Sequence, residues 1–130
     1  MVTKYDDIVS MVDSFDPSAY GRTRNFKNRS VSKLSPYISR GVISTRFVFE
    51  SLQQRYGNLA PFEKFIQELA WRDHWQRTWQ MTDVDNDLKR KQEDVAFYGF
   101  PERIFNGEIG IDAIDEGVRE LYEKGYVHNH

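Results

Sequence analysis

Residues 61–81 have the spacing of one long helix, and this stretch limits the possible fold more than any other. The apolar residues Phe62, Phe65, Ile66 and Leu69 recur at intervals of three and four. This interval places side chains on one face of an α-helix. The stretch opens with a proline, which fits the first turn of a helix because its missing N–H is not needed there. The sequence therefore predicts a long helix that packs through this apolar face.

A second face of the same helix combines an acid, a guanidinium and three indoles. Glu68, Trp71, Arg72, Trp75 and Trp79 are spaced i, i+3, i+4, i+7 and i+11. An exposed indole beside such a charged pair can stack on a planar ring, such as a flipped-out base, a flavin or an adenine. In the alternative, Trp75 and Trp79 are core residues, and Glu68 and Arg72 form a surface pair worth only about 0.3–0.5 kcal/mol. We predict a functional role for Trp71 with Glu68 and Arg72, and a structural one for Trp79.

The rest of the chain is also predicted to be helical, since no stretch alternates as a strand does. Further helices are predicted over residues 4–15, 45–56 and 111–124, with short ones between Pro36 and Gly41 and between Pro101 and Gly107. Thr3 and Ser44 are the expected N-caps of the first two, and Gly57 and Gly125 are the expected stops. Residues 20–30 and 83–94 are expected to be loops. The predicted fold class is all-α, a helical bundle.

Composition limits the chemistry that the chain can carry out. The 130 residues suffice for one domain with a modest core, and a 15% aromatic content must supply much of the burial. The chain has no cysteine, which excludes disulfides, thiolate metal sites and cysteine nucleophiles. Since no window approaches 18 apolar residues and the start lacks the apolar core of a signal peptide, we expect a cytoplasmic protein.

The three histidines do not suggest a metal site. His128 and His130 lack a second pair of ligands. His74 is expected on the far side of the long helix from its tryptophan face. We therefore predict that the chain binds no metal.

Charge is unevenly distributed although the net charge is only −2. No acidic residue occurs between Asp16 and Glu50, while acids dominate from Asp83 onward. The basic interval contains Arg22, Arg24, Lys27, Arg29, Lys33, Arg40 and Arg46. Such an interval suits a polyanionic partner such as phosphate or nucleic acid, and it is equally compatible with a solvated basic loop.

The predicted short helix after Pro36 is preceded by serines, which suggest a phosphate site. Free backbone N–H groups at a helix N-terminus hold phosphates, and Ser32 and Ser35 add hydroxyl donors. Simple N-capping explains the same serines, and the residues alone favour it.

Five short motifs occur in an order that gives the chain a family resemblance. They are Tyr20-x-x-x-Arg24-Asn25-Phe26, Ser32-Lys33-Leu34-Ser35-Pro36-Tyr37-Ile38, Gly41-Val42-Ile43-Ser44, Phe65-x-x-Glu68-Leu69-x-Trp71-Arg72, and Gly110-Ile111-x-x-Ile114-Asp115 followed by Gly125-Tyr126-Val127-His128-Asn129. From about residue 20 the sequence resembles the FAD-binding domain of the photolyase/cryptochrome family. The resemblance implies that residues 1–130 form a single helical domain, the first half of that FAD-binding domain, without the family's α/β antenna domain.

The resemblance also implies a role for each matching residue. The residues that would hold FAD are Tyr20, Ser32, Leu34 and Ser35, the backbone of Val31 and Lys33, and Phe65, Arg72 and Asn129. Glu68 and Trp71 would be the catalytic residues, facing the pocket for a flipped pyrimidine dimer. The residues that would contact the damaged DNA are Arg24, Glu68, Trp71, Arg72, Trp75 and Asn129.

The function that the resemblance implies is light-driven repair of cyclobutane pyrimidine dimers by electron transfer from reduced FAD. This would make the protein a lyase, with the FAD site completed only in a longer chain. Two alternatives stay open: a cryptochrome-type blue-light photoreceptor, and a helical DNA-binding or interaction module without flavin.

Overall fold

A computed structural model describes residues 1–26, 31–83 and 99–128. These residues form two compact units, Val2–Thr82 and Asp83–His130 with Met1, and each unit is considered by itself. The described residues include helices and turns but no strand, which confirms the predicted all-α class. Within these ranges, no helix has both the length and the apolar run needed to cross a bilayer. The prediction of one domain over residues 1–130 stays a prediction.

In the unit of residues 2–82, the described residues (2–26 and 31–82) form five α-helices and two 3₁₀ turns. The helices are α1 (Tyr5–Ser14), α2 (Tyr20–Thr23), α3 (Ser35–Ser39), α4 (Thr45–Tyr56) and α5 (Glu63–Met81), and the turns are Pro17–Ala19 and Ala60–Phe62. The predicted limits of α4 are confirmed. The Ser44 hydroxyl accepts a hydrogen bond from the Phe47 N–H at 3.0 Å, and Gly57 follows the last turn. The long helix is also confirmed, since α5 follows the turn that contains Pro61 and ends at Met81.

Three local predictions are wrong. Lys4, not Thr3, lies at the N-cap of α1, and no side chain caps it. The segment predicted as a loop from residue 20 begins with α2. Leu34 occupies the N-cap of α3, whereas the Ser32 hydroxyl accepts from the Leu34 N–H at 3.3 Å, outside the helix. This bond closes a local turn before α3, which is an arrangement that serine side chains adopt in place of N-capping.

The core of this unit joins four of its helices. It consists of Ile8 and Val12 of α1, Leu34, Tyr37 of α3, Ile43, Val48 and Leu52 of α4, and Phe65 and Leu69 of α5. Leu34 is completely buried. The buried Tyr37 hydroxyl donates to the Val2 carbonyl and accepts from the Val2 N–H, each at 3.0 Å, so its polar atom is satisfied. The core thus fixes the start of α3 against the N-terminal half of α5.

The second unit contains α6 (Glu102–Phe105) and α7 (Asp112–Lys124), which confirms both predicted helices. Gly125 ends α7 with φ 65°, a left-handed conformation that glycine adopts without a Cβ clash. Most of the apolar face of α7 is exposed. The exposed side chains are Ile111, Ile114, Leu121 and Tyr122. The predicted loop of residues 83–94 lies outside the described residues except for Asp83.

A buried carboxylate fixes the loop before α7. Asp115 is 6% exposed, and its two oxygens accept hydrogen bonds from the N–H groups of Ile109 and Gly110, each at 2.9 Å. Burial by itself raises the pKa of Asp115. The two N–H donors, together with the charges of Arg119 and Arg103, outweigh that effect and hold this pKa below its ordinary value.

Candidate functional site

A cavity of about 160 Å³ lies in the unit of residues 2–82, between α2, the serine segment and α5. We use "the cavity" for this space and "the serine segment" for residues 31–35. The residues that line the cavity are Tyr20, Ser32, Ser35, Ile38, Phe65, Glu68, Leu69 and Arg72. Six of these eight are residues for which the family resemblance implies contact with FAD or damaged DNA. The structure therefore brings together side chains that are up to 52 positions apart in the sequence, counting from Tyr20 to Arg72.

Aromatic rings form one wall of the cavity. The rings of Tyr20 and Phe65 meet edge to face, with centroids 5.0 Å apart and planes at 81°. Phe15 packs behind both, at 6.5 Å from Tyr20 and 4.9 Å from Phe65. Phe65 is held because it also belongs to the core, where it is 4% exposed. Edge-to-face packing of this kind fixes ring orientation, so the wall is preorganised.

Glu68 is held at the cavity by two cations. Its Oε1 lies 3.0 Å from Arg24 Nη1 and 3.1 Å from Lys64 Nζ. Arg24 is contributed by the C-terminal end of α2, whereas Lys64 lies one turn earlier on α5. The alternative of a surface pair between Glu68 and Arg72 is wrong, because Arg72 Nη2 donates instead to the Ile38 carbonyl at 3.2 Å. Glu68 and Arg72 are thus held separately, and both side chains line the cavity.

The serine segment contributes two residues to the lining of the cavity. Ser32 and Ser35 line the cavity, and Lys33 between them has φ 54°, a left-handed conformation that is uncommon for a residue with a Cβ. Leu34 is completely buried in the core, backbone included, and it does not line the cavity, so the structure does not place it in contact with a ligand there. Val31 is half-buried and Lys33 is exposed, and neither lines the cavity.

The indoles of α5 lie outside the cavity. Trp71, Trp75 and Trp79 are 43%, 60% and 65% exposed, and the rings of Trp71 and Trp75 stack with centroids 5.8 Å apart and planes at 18°. The predicted structural role of Trp79 is therefore wrong, because the described core ends at Leu69 and nothing in it reaches the last turns of α5. The prediction that His74 lies away from the tryptophan face is also wrong. Its ring meets those of Trp71 and Trp75 edge-on, at 5.4 and 5.2 Å.

Three residues of the site were missed by the sequence analysis. Lys64 has a detectable signal, because it lies four positions before Glu68, where a cation pairs with an acid along a helix. Ile38 carries no such signal, since its place in the cavity depends on how α3 meets α5. Leu69 was assigned to the core only. Asn129, implied to contact both FAD and DNA, lies outside the described residues.

The size of the cavity sets what it can hold. Sites that enclose a whole cofactor or drug-sized ligand measure about 300–1,000 Å³, and this cavity measures about 160 Å³. It can therefore receive one ring or one anionic group, not a complete dinucleotide. Its aromatic wall suits a planar ring. Its hydroxyls and the Arg72 guanidinium suit an anion or the polar edge of that ring.

Fold and site together define a class: an all-α protein in which an aromatic and guanidinium-lined cavity adjoins an exposed row of indoles.

No family model matches the chain, and no solved structure matches it. Curated relatives do match, and they carry the name deoxyribodipyrimidine photo-lyase. The protein of Alkalihalophilus pseudofirmus is 27% identical over 118 residues, covering 86% of this chain and 25% of the relative. The mitochondrial protein of Saccharomyces cerevisiae is 32% identical over 117 residues, covering 75% and 20%. That of one strain of Thermus thermophilus is 30% identical over 106 residues, covering 75% and 24%.

The chain belongs to the photolyase family. It spans only a fifth to about a quarter of the length of these relatives.

Proposed function

We propose that this chain is part of the FAD- and DNA-binding domain of a DNA photolyase. The complete protein would repair cyclobutane pyrimidine dimers by light-driven electron transfer from reduced FAD. One observation carries the proposal. Tyr20, Ser32, Ser35, Phe65, Glu68 and Arg72 surround a single cavity, next to the exposed indoles of Trp71 and Trp75. The names of the relatives support the same reaction.

The residues of the cavity fit one part of FAD. The rings of Tyr20 and Phe65 offer apolar contact to a planar ring, and the Ser32 and Ser35 hydroxyls with the Arg72 guanidinium offer hydrogen bonds to phosphate or to the polar ring edge. When bound, FAD supplies the light-driven electron transfer, and the protein supplies position and electrostatics. Since the cavity is smaller than a site for the whole cofactor, this chain provides one wall of it.

Glu68 and Trp71 receive the damaged base in this proposal. Both cations that hold Glu68 contact Oε1. Of the two carboxylate oxygens, Oε2 is therefore the one available to accept a hydrogen bond from a base edge. Trp71 offers an exposed indole face, backed by the stacked ring of Trp75, on which a flipped base can stack. Arg24 lies beside Glu68, where its charge favours an approaching phosphate backbone.

Two titrations of the 130-residue chain test this proposal. Flavin fluorescence during titration with FAD measures cofactor binding, and anisotropy of a labelled strand measures DNA binding. The matched strands carry one cyclobutane dimer or the same two pyrimidines undamaged. We expect weak FAD binding, as suits one wall of a site, and tighter binding of the damaged strand. A folded chain with neither FAD binding nor preference for damage would contradict the proposal and favour a helical DNA-binding module.

A chimera tests the reaction itself. The segment of the Alkalihalophilus pseudofirmus relative that matches over 118 residues is replaced by the corresponding segment of this chain, so the relative supplies the rest of the protein. We expect the purified chimera to show flavin absorbance and to remove dimers under blue light. A chimera that binds flavin yet leaves dimers intact under light would favour the photoreceptor alternative.

The roles of Trp71 and of the cavity are separable, because Trp71 does not line the cavity. The substitution Trp71→Ala should weaken binding of the damaged strand at least about fivefold, the lower end of what one stacked base contributes. It should leave FAD affinity unchanged. Met81→Ala is the matched control, since Met81 lies on the same helix and is 86% exposed. An equal loss of DNA and FAD affinity in Trp71→Ala would overturn the assigned role.

A further inference from the structure

A second surface on α5, shallow and open, differs in its lining from the cavity described above. It is an open groove of about 400 Å³, lined by Arg72, Trp75, Gln76 and Trp79. We use "the groove" for this surface. Gln76 and Trp79 have no part in the proposed contacts to FAD or to the flipped dimer. Arg72 lines both the groove and the cavity, so the two surfaces adjoin.

The groove has the chemistry of a site for one planar heteroaromatic ring. Two indoles, exposed by 60% and 65%, supply ring faces for stacking. The Gln76 amide offers both a donor and an acceptor, and the Arg72 guanidinium offers donors. Every nucleobase has a π-face together with donors and acceptors at its edge, so this combination suits an unpaired base. The two residues lie about one helical turn apart, roughly 6 Å along the helix axis.

The helix segment that carries the groove has two cations and one anion, and this small positive excess favours a nucleic-acid strand over an apolar protein surface. From Trp71 to the end of α5, the basic residues are Arg72 and Arg77, and the one acid is Asp73. The Asp73 carboxylate accepts a hydrogen bond from the Thr45 hydroxyl at 2.7 Å, which ties it to α4. Arg77 is exposed and directly follows Gln76. Cations beside stacking aromatics are the pattern that binds a single strand without regard to sequence.

We infer that the groove binds an unpaired nucleobase of a DNA strand, independently of flavin, light or damage. The site lies beside the place proposed for a flipped dimer, so it would hold a neighbouring base of the same strand. Gln76 and Trp79 are the residues specific to this inference. The inference stands if the flavin proposal fails, because it requires only the groove and an unpaired base.

Undamaged oligonucleotides in the dark, without flavin, test this inference. The probes are two labelled DNA strands of equal length and charge. One is a strand of twelve thymidine nucleotides, and the other is an abasic strand, in which the sugars carry no bases. We expect the chain to bind the thymidine strand at least about fivefold more tightly, because stacking on indoles is lost without bases. The substitution Trp79→Ala should remove most of that preference and leave the weaker, salt-dependent binding of the abasic strand unchanged. Trp79→Phe should retain part of the preference.

Controls separate the groove from general effects of the substitution. Met81→Ala, at the last position of α5, should leave the preference intact. Equal affinity of the wild-type chain for the two strands would overturn the inference, as would an equal loss in Trp79→Ala and Met81→Ala. Size-exclusion chromatography gives a further outcome. If the chain self-associates through Trp79, and Trp79→Ala makes it monomeric without changing DNA affinity, the groove is a protein interface and the inference is wrong.

Discussion

The two compact units expose and bury different kinds of side chain. The unit of residues 2–82 buries nine apolar residues in one cluster, including Phe65 and Leu69. In the described part of the other unit, the buried charged residue is Asp115, while Ile114 and Leu121 stay about half exposed. Apolar burial stabilises the first unit in proportion to the area removed from water, whereas hydrogen bonds to a carboxylate hold the loop of the second. Apolar side chains at helical spacing are therefore no guarantee of a core.

Truncation of the core should give the largest effect and is the strongest test of this contrast. Phe65→Ala removes a ring that is 4% exposed and packs against Phe15 and Tyr20. We expect the free energy of unfolding to fall by about 3–5 kcal/mol, because a cavity replaces the ring. Urea denaturation followed by circular dichroism measures this. Leu121→Ala, on the half-exposed apolar face of α7 in the other unit, should change it far less, by about 0.5 kcal/mol. Equal losses in the two variants would break the contrast.

The loop of the second unit should respond to pH. Because the folded-state pKa of Asp115 lies below its ordinary value, the ionised carboxylate stabilises the fold. That contribution is fully present above the unfolded pKa, about 3.9, and is lost as pH falls through the lower folded pKa. Hydrogen exchange of the Ile109 and Gly110 amides, corrected for the intrinsic rate, should show protection that disappears in acid.

The substitution Asp115→Asn is the matched control for this pH response. It keeps the size of the side chain and one acceptor oxygen but removes the titrating group, so the remaining protection should no longer follow this titration. Protection at Ile109 and Gly110 that is the same at pH 3 and pH 7 in the wild-type chain would show that the carboxylate does not hold the loop.

Loss of the ion pairs at Glu68 should have only a small effect on stability. The side chains of Arg24 and Glu68 are 28% and 33% exposed, so solvent screens their attraction. We expect Glu68→Gln to lower the free energy of unfolding by less than about 1 kcal/mol. The same variant should bind the damaged strand less tightly, because Glu68 is proposed to accept a hydrogen bond from the base. Thermal denaturation and anisotropy measure the two effects. A large loss of stability would show that Glu68 is mainly structural.

Signals that act within a few residues allowed accurate prediction of helix limits. The helix α4 begins after Ser44 and ends before Gly57, as predicted. An N-cap and a C-terminal glycine with positive φ each involve only neighbouring residues, so the sequence indicates them locally. The spacing of the apolar residues alone predicted that Phe65 and Leu69 of α5 face the core. Predictions that depend on distant contacts were less successful. One partner of Glu68 is Arg24, 44 positions away, and no periodicity in either segment indicates that pairing.

Exposure was the hardest property to predict from the sequence. A tryptophan at helical spacing suggests burial, yet Trp79 is 65% exposed, because the core that α5 packs on ends at Leu69. Local preference also misled at Thr3 and at the start of α3, where Lys4 and Leu34 occupy the N-cap positions and no side chain caps the helix. The order of the motifs, through the family resemblance, predicted that Tyr20, Ser32 and Phe65 belong to one site. Spacing along one helix cannot predict this, because the three residues lie in different segments of the chain.

The complete burial of Leu34 has a consequence for how ligand occupancy can be detected. Its side chain anchors the serine segment to the interior, so unfolding must expose Leu34 and release Ser32 and Ser35 in the same event. A molecule that engages those hydroxyls in the folded chain alone therefore shifts the equilibrium toward that chain by mass action. The melting temperature of the helical core therefore reports how far a ligand saturates the serine segment. This measurement needs neither a chromophore nor a label on the ligand.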